Sequence, residues 1–184
     1  MLILIGASAS GKTEIAKRLI ESYGFTKMVT TTTRPKRTNE KPGIDYHFVD
    51  KAHFLILKQD NAFLETAEYS GYYYGTPKQG VTKNTVLIVE PSGANAIYKA
   101  CPSQVIIGYI NTPKSIREKR MKARGDDVYS TEMRLEQDAQ IFNPKTLFHI
   151  DFIIDNENTD LDTLAQTINA LYRAHYPKIQ LNDD

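Results

Sequence analysis

The chain has 184 residues, enough for one domain with a buried core, and its 23 Lys and Arg against 22 Asp and Glu give a formal charge of +1. This balance excludes a general basic face for nucleic acid or an anionic membrane, so an anionic ligand needs a local cluster of cations. A single cysteine, Cys101, excludes an internal disulfide and a multi-cysteine metal site. The chain begins without the features of a signal peptide, and no apolar run approaches the roughly 20 residues that cross a bilayer, so we expect a soluble, cytoplasmic protein.

The first predicted elements are a strand, a phosphate-binding loop and a helix. The apolar run Leu2–Ile5 predicts a buried strand, and apolar residues at helical spacing predict a helix over residues 13–23. Between them, residues 6–13 read GASASGKT and fit the phosphate-loop pattern G-x-x-x-x-G-K-[ST]. Such a loop curls its backbone N–H groups around a phosphate at a helix N-terminus, whereas a plain Gly/Ser loop would bind nothing.

The strand and helix on either side of the loop favour the phosphate-binding interpretation. Lys12 is then expected to reach the β- and γ-phosphates of a nucleoside triphosphate, and the Thr13 hydroxyl to ligate Mg²⁺. The predicted ATP-binding residues of this loop are Ala7, Ser8, Ala9, Ser10, Gly11, Lys12 and Thr13.

The remaining core elements alternate between strands and helices. Short β-branched apolar runs predict strands at residues 27–30, 86–89, 105–110 and 152–154. Helical patterns follow at residues 92–99 and 114–123, and in a tail whose apolar positions are Leu161, Leu164, Ile168 and Leu171. The alternation predicts an α/β fold, a three-layer α/β/α sandwich around a parallel sheet.

Two segments interrupt this alternation. Residues 33–80 are too long for a plain crossover, and strand-like pieces at 46–48, 63–69 and 72–74 with a short helix near 52–57 predict an inserted, mostly β lobe. A charged helical hairpin, interrupted at Gly125-Asp126-Asp127, predicts a mobile lid. The single domain is therefore expected to consist of a core at 1–32, 81–119 and 143–180, a lobe at 33–80 and a lid at 120–142.

The inserted lobe carries the second group of candidate site residues. Arg34 and Arg37, in a loop stiffened by Pro35, can clamp a phosphate through bidentate hydrogen bonds. The ordered motifs Thr-Thr-Arg-Pro-x-Arg, Glu-x-x-Gly-x-Asp-Tyr-x-Phe-Val, Phe-Leu-Glu and Gly-x-Tyr-Tyr-Gly-Thr-Pro run from residue 32 to residue 77. With the phosphate loop and the arginines of residues 120–134, this set resembles the guanylate kinase family over most of the chain.

The resemblance implies how GMP and ATP are bound. Arg34, Arg37, Tyr46 and Tyr74 match residues that hold the monophosphate of GMP. Glu65 matches a carboxylate that accepts hydrogen bonds from guanine N1–H and the exocyclic amine, which suits an acceptor-only group. Arg120, Arg124 and Arg134 match lid arginines that neutralise charge in the transition state, and with Lys12 and Arg34 they form the expected catalytic set. Asp155 and Asn156 match positions that pack against adenine. The implied GMP-binding set is Thr30, Arg34, Arg37, Tyr46, Glu65, Tyr74, Gly75, Thr76 and Glu90.

The sequence departs from the family pattern in two places. At the third core strand the family has Leu-Asp-x-Asp, but this chain has Leu87-Ile88-Val89-Glu90. Ile88 can neither accept a hydrogen bond from a base nor organise water bound to Mg²⁺, and Glu90 keeps the charge on a longer arm. In the phosphate loop, Ala7 and Ala9 replace a proline and a glycine.

The resemblance implies an enzyme of purine nucleotide metabolism that transfers the γ-phosphoryl group of ATP to GMP with Mg²⁺ as cofactor. Its partners would be ATP and GMP, with no nucleic acid or membrane, and it would act as a monomer or homodimer. Ile88 and Glu90 leave open a kinase of another phosphorylated small molecule. A non-catalytic guanylate kinase-like binding module is a further alternative, against which Lys12 and Thr13 argue. A regulatory GTPase lacks support, because the chain has neither an Asn-Lys-x-Asp nor an Asp-x-x-Gly motif.

Overall fold

The computed structural model describes residues 1–36, 40–69, 71–157 and 159–175. The strands are β1 (Leu2–Ile5), β2 (Thr26–Lys27), β3 (Thr30–Thr32), β4 (Tyr46–Phe48), β5 (Phe63–Tyr69), β6 (Tyr72–Pro77), β7 (Thr85–Ile88), β8 (Ile106–Asn111) and β9 (Phe152–Asp155). The helices are α1 (Lys12–Tyr23), α2 (Lys51–Gln59), α3 (Pro91–Ala100), α4 (Lys114–Ala123), α5 (Val128–Ile141) and α6 (Leu161–Ala174). Within the described residues, no helix is both long and apolar enough to cross a membrane.

The core sheet is parallel and is covered on both faces. Its strand order is β2-β7-β1-β8-β9, and every pair in it is parallel. Successive residues of the central strand point to opposite faces, so Leu2 and Leu4 pack towards α1 and α6, while Ile3 and Ile5 pack towards α3. All four side chains are buried, which explains why the strand is a continuous apolar run. The predicted three-layer α/β/α sandwich is confirmed.

The inserted lobe has its own sheet, of order β4-β3-β6-β5, in which β6 runs antiparallel to both of its neighbours. Helix α2 packs against this sheet through Phe54, whose ring stacks on Phe63 at 4.8 Å and on Tyr73 at 5.5 Å between centroids. The lobe therefore has a small aromatic core separate from the apolar clusters of the main sheet.

The strand expected at residues 27–30 is wrong. The core strand β2 ends at Lys27, and after it only the N–H of Met28 still bonds to the main sheet, at the Val86 carbonyl (2.9 Å). Residues 30–32 form β3, which pairs with β4 and β6 in the lobe sheet. One short β-branched run is thus divided between two sheets, because pairing partners and not local propensity decide where a strand belongs. The lobe sheet consequently begins at Thr30, earlier than residue 33.

The predicted lid, residues 120–142, contains the last turn of α4, a tight turn and the whole of α5. Helix α4 ends at Ala123, the chain turns at Gly125 with φ 88°, and α5 begins after Asp127. The Asp127 carboxylate caps α5 by accepting a hydrogen bond from the N–H of Ser130 at 2.9 Å. The expected interruption at residues 125–127 is therefore the turn between the two helices.

Candidate active site

The site lies where the parallel strands end, as is usual for ligand sites in open α/β sheets. The phosphate loop follows β1, Val89 and Glu90 follow β7, and Asn156 follows β9. Helix α1 begins after Gly11, which has φ 99° and no side chain to accept the first N–H groups of the helix. Those N–H groups, together with the helix dipole, favour an anion at this point.

Lys12 is held against its own loop. Its ammonium donates hydrogen bonds to the carbonyl of Gly6, to the carbonyl of Ala7 at 2.8 Å and to the Ser10 hydroxyl at 3.3 Å. Burial lowers the pKa of Lys12 to about 8, while the nearby Asp138 carboxylate acts in the opposite direction. The ammonium is therefore a desolvated cation, which an anionic phosphate would stabilise.

The loop is supported from outside by side chains that are distant in sequence. The Ser10 carbonyl accepts hydrogen bonds from Asn156 Nδ2 at 2.8 Å and Thr112 Oγ1 at 3.2 Å. Arg120 donates to the Ala9 carbonyl at 3.3 Å and to Asn156 Oδ1 at 3.2 Å. These contacts fix the backbone of the loop at two successive residues.

Asn156 and Arg120, two residues expected to lie near ATP, make other contacts in this structure. Asn156 was expected beside adenine, but its side chain is buried and both amide atoms are occupied by Ser10 and Arg120. Arg120 was expected above the triphosphate, but in this conformation it bonds to the loop. Asp155 is exposed and accepts a hydrogen bond from Asn111 Nδ2 at 2.7 Å. The amide of Asn156 and the guanidinium of Arg120 therefore position the phosphate loop.

Sequence reasoning missed two charged residues at the base of the lid. Arg117 on α4 and Asp138 on α5 form a buried ion pair, with 2.9 Å between Arg117 Nη1 and Asp138 Oδ2. Asp138 also accepts hydrogen bonds from the N–H of Ser8 at 2.8 Å and from its hydroxyl at 3.2 Å. The buried positions of α5 are Thr131, Leu135 and Asp138, which have helical spacing. A charged residue on a buried stripe was the signal that could have identified Asp138.

A cavity of about 310 Å³ lies between the two sheets. Seven of the predicted GMP-binding residues line this cavity: Thr30, Tyr46, Glu65, Tyr74, Gly75, Thr76 and Glu90. Ile88 also lines it, and its side chain is 37% exposed at the end of β7. The structure thus brings together residues from both sheets that are up to sixty positions apart.

Glu65 is a half-buried carboxylate in this cavity. Its Oε1 accepts a hydrogen bond of 2.7 Å from the Thr76 hydroxyl across the β5–β6 pair. Burial raises the pKa of Glu65, and the hydrogen bond from Thr76 opposes that effect. Thr76 is fully buried, so its hydroxyl orients Glu65 instead of standing free for a base. Gly75 is required for packing, because a Cβ there would come within 2.8 Å of the Phe63 ring.

Arg34 already has an anionic partner. Its Nη2 lies 2.6 Å from Glu40 Oε1, and its guanidinium carbon lies 5.4 Å from the Tyr46 ring centroid. The hydrogen bond to Glu40 raises the pKa of Arg34, with a further contribution from the Tyr74 hydroxyl. The second arginine of the predicted clamp, Arg37, lies outside the described residues.

The two outer lid arginines share one carboxylate. Arg124 and Arg134 both bond to Asp126, with 3.1 Å between Arg134 Nη1 and Asp126 Oδ2. Both arginine side chains are about half exposed. Arg134 lines a second cavity together with Ser8, Lys12 and Glu90, whereas Arg124 does not line this cavity. Of the two, Arg134 lies on the phosphate-loop side.

Thr13 is exposed at the first turn of α1 and lines a cavity that also contains Glu40 and Asp45. Among the described residues, no group of three or more His, Cys, Asp or Glu is arranged to hold a metal ion. Mg²⁺ in phosphoryl-transfer enzymes keeps several waters and binds substrate phosphates with one or two protein ligands. A single hydroxyl at the phosphate loop fits that mode of binding.

The comparisons with known proteins agree with this geometry. The family model described as guanylate kinase matches residues 1–174. The guanylate kinase of Thermus thermophilus is 32% identical over 85% of this chain and 74% of the relative, and that of Anaplasma phagocytophilum is 32% identical over 97% and 88%. The crystal structure of the Anaplasma phagocytophilum guanylate kinase superposes with a TM-score of 0.68 at 25% identity, covering 96% of this chain and 86% of that one. The chain therefore belongs to the guanylate kinase family.

Proposed function

We propose that this protein transfers the γ-phosphoryl group of ATP to GMP, producing ADP and GDP. The observation that carries the proposal is that two cavities share part of their lining. Ile88, Val89 and Glu90 line both the acceptor cavity that contains Glu65 and the cavity that contains Ser8, Lys12 and Arg134. An acceptor held beside Glu65 and a triphosphate held at the phosphate loop would therefore meet at the end of β7.

The reaction needs no covalent enzyme intermediate. A phosphate oxygen of GMP attacks the γ-phosphorus in line, the bond between the γ-phosphorus and the β,γ-bridging oxygen breaks, and ADP leaves. The protein contributes positioning and positive charge, with Lys12 and Arg134 on the donor side and Arg34 on the acceptor side. Arg124, exposed at the tip of the lid, would approach only when the lid closes and excludes water.

The metal site is part of the same proposal. Thr13 would hold Mg²⁺ together with phosphate oxygens and water. When bound, the ion neutralises charge on the phosphates during transfer.

Guanine recognition is assigned to Glu65. Its carboxylate accepts hydrogen bonds from the N1–H and amine of guanine, whereas the bare N1 of adenine presents a lone pair to it. The Thr76 hydroxyl holds the carboxylate in place at 2.7 Å. The apolar side chain of Ile88 adds no polar contact on the opposite wall, so we expect the preference for guanine to be about 10²-fold, below the roughly 10⁴-fold that a fully polar site can reach.

A second candidate is a kinase of another phosphorylated small molecule on the same fold. The observation that favours it is Ile88, whose partly exposed apolar side chain faces the acceptor cavity. An acceptor with an apolar group at this position would fit that wall better than a purine edge.

The test is a coupled assay of ADP release with ATP and each of GMP, dGMP, AMP, CMP and UMP. We expect kcat/KM for GMP to exceed that for AMP by about 10²-fold, and Glu65→Gln to reduce this ratio by at least about tenfold. Glu68→Gln, on the same strand but exposed, is the matched control and should leave the ratio unchanged. If AMP equals GMP, or if Glu65→Gln leaves the ratio intact, Glu65 does not select the base. If no nucleotide is phosphorylated, the second candidate replaces the first.

A further inference from the structure

Two buried ionisable groups have no part in the proposed chemistry. Arg117 and Asp138 have side chains only 8% and 6% exposed, and they join the lid helices α4 and α5 at their base. A buried ion pair costs desolvation energy, and a well-packed apolar pair of similar volume is often as stable or more stable. Packing of the two helices therefore does not explain why charges occupy these positions.

Asp138 bonds directly to the phosphate loop, and Arg117 is connected to it through Thr112. Asp138 Oδ2 and Oδ1 accept hydrogen bonds from the N–H and the hydroxyl of Ser8, respectively. On the other side, Arg117 Nε donates to the Thr112 carbonyl at 3.2 Å, and Thr112 Oγ1 donates to the Ser10 carbonyl at 3.2 Å. Asp138 thus contacts the loop directly at Ser8, and Arg117 is connected to it at Ser10 through Thr112, on the other side of Ala9.

The loop needs such support. Ala9 has φ 57°, in the left-handed region that costs a non-glycine residue energy and persists only where the surroundings impose it. A carboxylate is the side chain that can accept both the N–H and the hydroxyl of Ser8 while it holds the Arg117 guanidinium. An apolar residue at position 138 would pack but would leave both Ser8 donors without this acceptor.

We propose that Asp138, held by Arg117, is a positioning residue for the phosphoryl donor: it fixes Ser8 and thereby the conformation of the loop that binds ATP. The inference rests on the proposed function for its kinetic readout. It assigns the buried pair to the donor side alone, since none of Arg117, Asp138 and Ser8 lines the cavity that contains Glu65.

The experiment compares wild type, Asp138→Ala and the double variant Arg117→Met/Asp138→Ala. Losing a charged acceptor should lower kcat/KM for ATP by about tenfold to a hundredfold in both variants, with the KM for GMP nearly unchanged. Asp138→Ala also leaves Arg117 as an unpaired buried cation, so its midpoint of unfolding in urea should fall. The double variant removes that charge and should recover the midpoint but not kcat/KM for ATP. Glu118→Gln, an exposed α4 residue paired with Lys122, is the control and should match wild type.

A purely structural ion pair predicts a different result. In that case the double variant would recover kcat/KM for ATP together with its stability, and the inference would be overturned. If Asp138→Ala does not fold, the double variant decides the question alone by the same criterion. If wild type phosphorylates no nucleotide, the proposed function fails, and calorimetric titration of wild type and the double variant with Mg²⁺-ATP tests the inference instead. A weaker affinity in the double variant supports the positioning role, and equal affinities refute it.

Discussion

Lys12 in the phosphate loop and Arg34 in the inserted lobe are both cations expected to meet phosphate, and the structure holds them differently. Lys12 donates to backbone and hydroxyl oxygens of its own loop, and that loop is fixed by Asp138 and Asn156, more than a hundred residues away. Arg34 has a carboxylate partner six residues away, Glu40, beside the Tyr46 ring. The donor side is therefore anchored by tertiary contacts, and the acceptor side by a local ion pair.

Because of this difference, a bound phosphate would affect the existing contacts of Lys12 and Arg34 differently. Among the described residues, no carboxylate contacts the Lys12 ammonium directly, so a bound phosphate would supply a counter-charge to this desolvated cation. A phosphate bound by Arg34 would have to share the guanidinium with the Glu40 carboxylate or displace that carboxylate. The lid arginines Arg124 and Arg134 are in a similar position, because both already bond to the Asp126 carboxylate. We therefore expect the loop to be preorganised for ATP, and the lobe and lid to rearrange their ion pairs when substrates bind.

The largest expected effect comes from the donor side. Lys12→Met should lower kcat by at least about 10²–10³-fold, because it removes the half-buried cation that would stabilise charge on the transferred phosphoryl group. The free energy of unfolding should stay the same or rise, since the lowered pKa of Lys12 shows that the fold disfavours the ammonium. Steady-state ADP release and urea unfolding measure the two quantities.

Lys17→Met is the matched control for this substitution. Lys17 lies on the same helix but is exposed and pairs with Glu14 at 2.9 Å. Its loss should leave turnover unchanged, because exposed ion pairs of this kind contribute little. Wild-type turnover in Lys12→Met would show that the phosphate loop does not hold the phosphoryl donor.

A smaller effect is expected from the acceptor side. Arg34→Ala should raise the KM for GMP by about tenfold to a hundredfold and leave the KM for ATP nearly unchanged, because it removes a charge-assisted bond to the monophosphate. Lys36→Ala is the control, since Lys36 is a neighbouring exposed cation whose ammonium donates to the Glu40 carbonyl at 3.3 Å. If the KM for ATP rises instead, Arg34 belongs to the donor side and the contrast with Lys12 disappears.

The same contrast explains which parts of the site could be predicted from the sequence. The phosphate loop occupies eight consecutive residues, and strand β5 matches the expected residues 63–69, because both signals are local. The pairing of Ser8 with Asp138 spans 130 residues, and no local pattern specifies it. The division of residues 26–32 between β2 and β3 likewise depends on which strands lie alongside. Local sequence therefore predicted the groups expected to meet phosphate, but not the side chains that hold them in place.

The smallest expected effect tests whether the loop is under strain. Ala9→Gly should raise the free energy of unfolding by about 1 kcal/mol, because glycine adopts φ 57° without the penalty paid by an L-residue. Part of that gain in the free energy of unfolding is offset, because glycine loses more backbone entropy on folding than alanine does. Urea unfolding without nucleotide measures the change.

Ala7→Gly provides the matched control in the same loop. Ala7 is buried and is not among the residues with positive φ, so glycine there brings the entropic cost and the loss of a buried methyl group, and it should lower the free energy of unfolding by roughly 1–2 kcal/mol. The two substitutions delete the same methyl group two residues apart, yet they should have opposite signs. If Ala9→Gly is as destabilising as Ala7→Gly, the loop conformation is not strained. The outer contacts from Asp138, Arg120 and Asn156 would then add hydrogen bonds without imposing a conformation, and the donor side would be less rigid than the comparison with Arg34 implies.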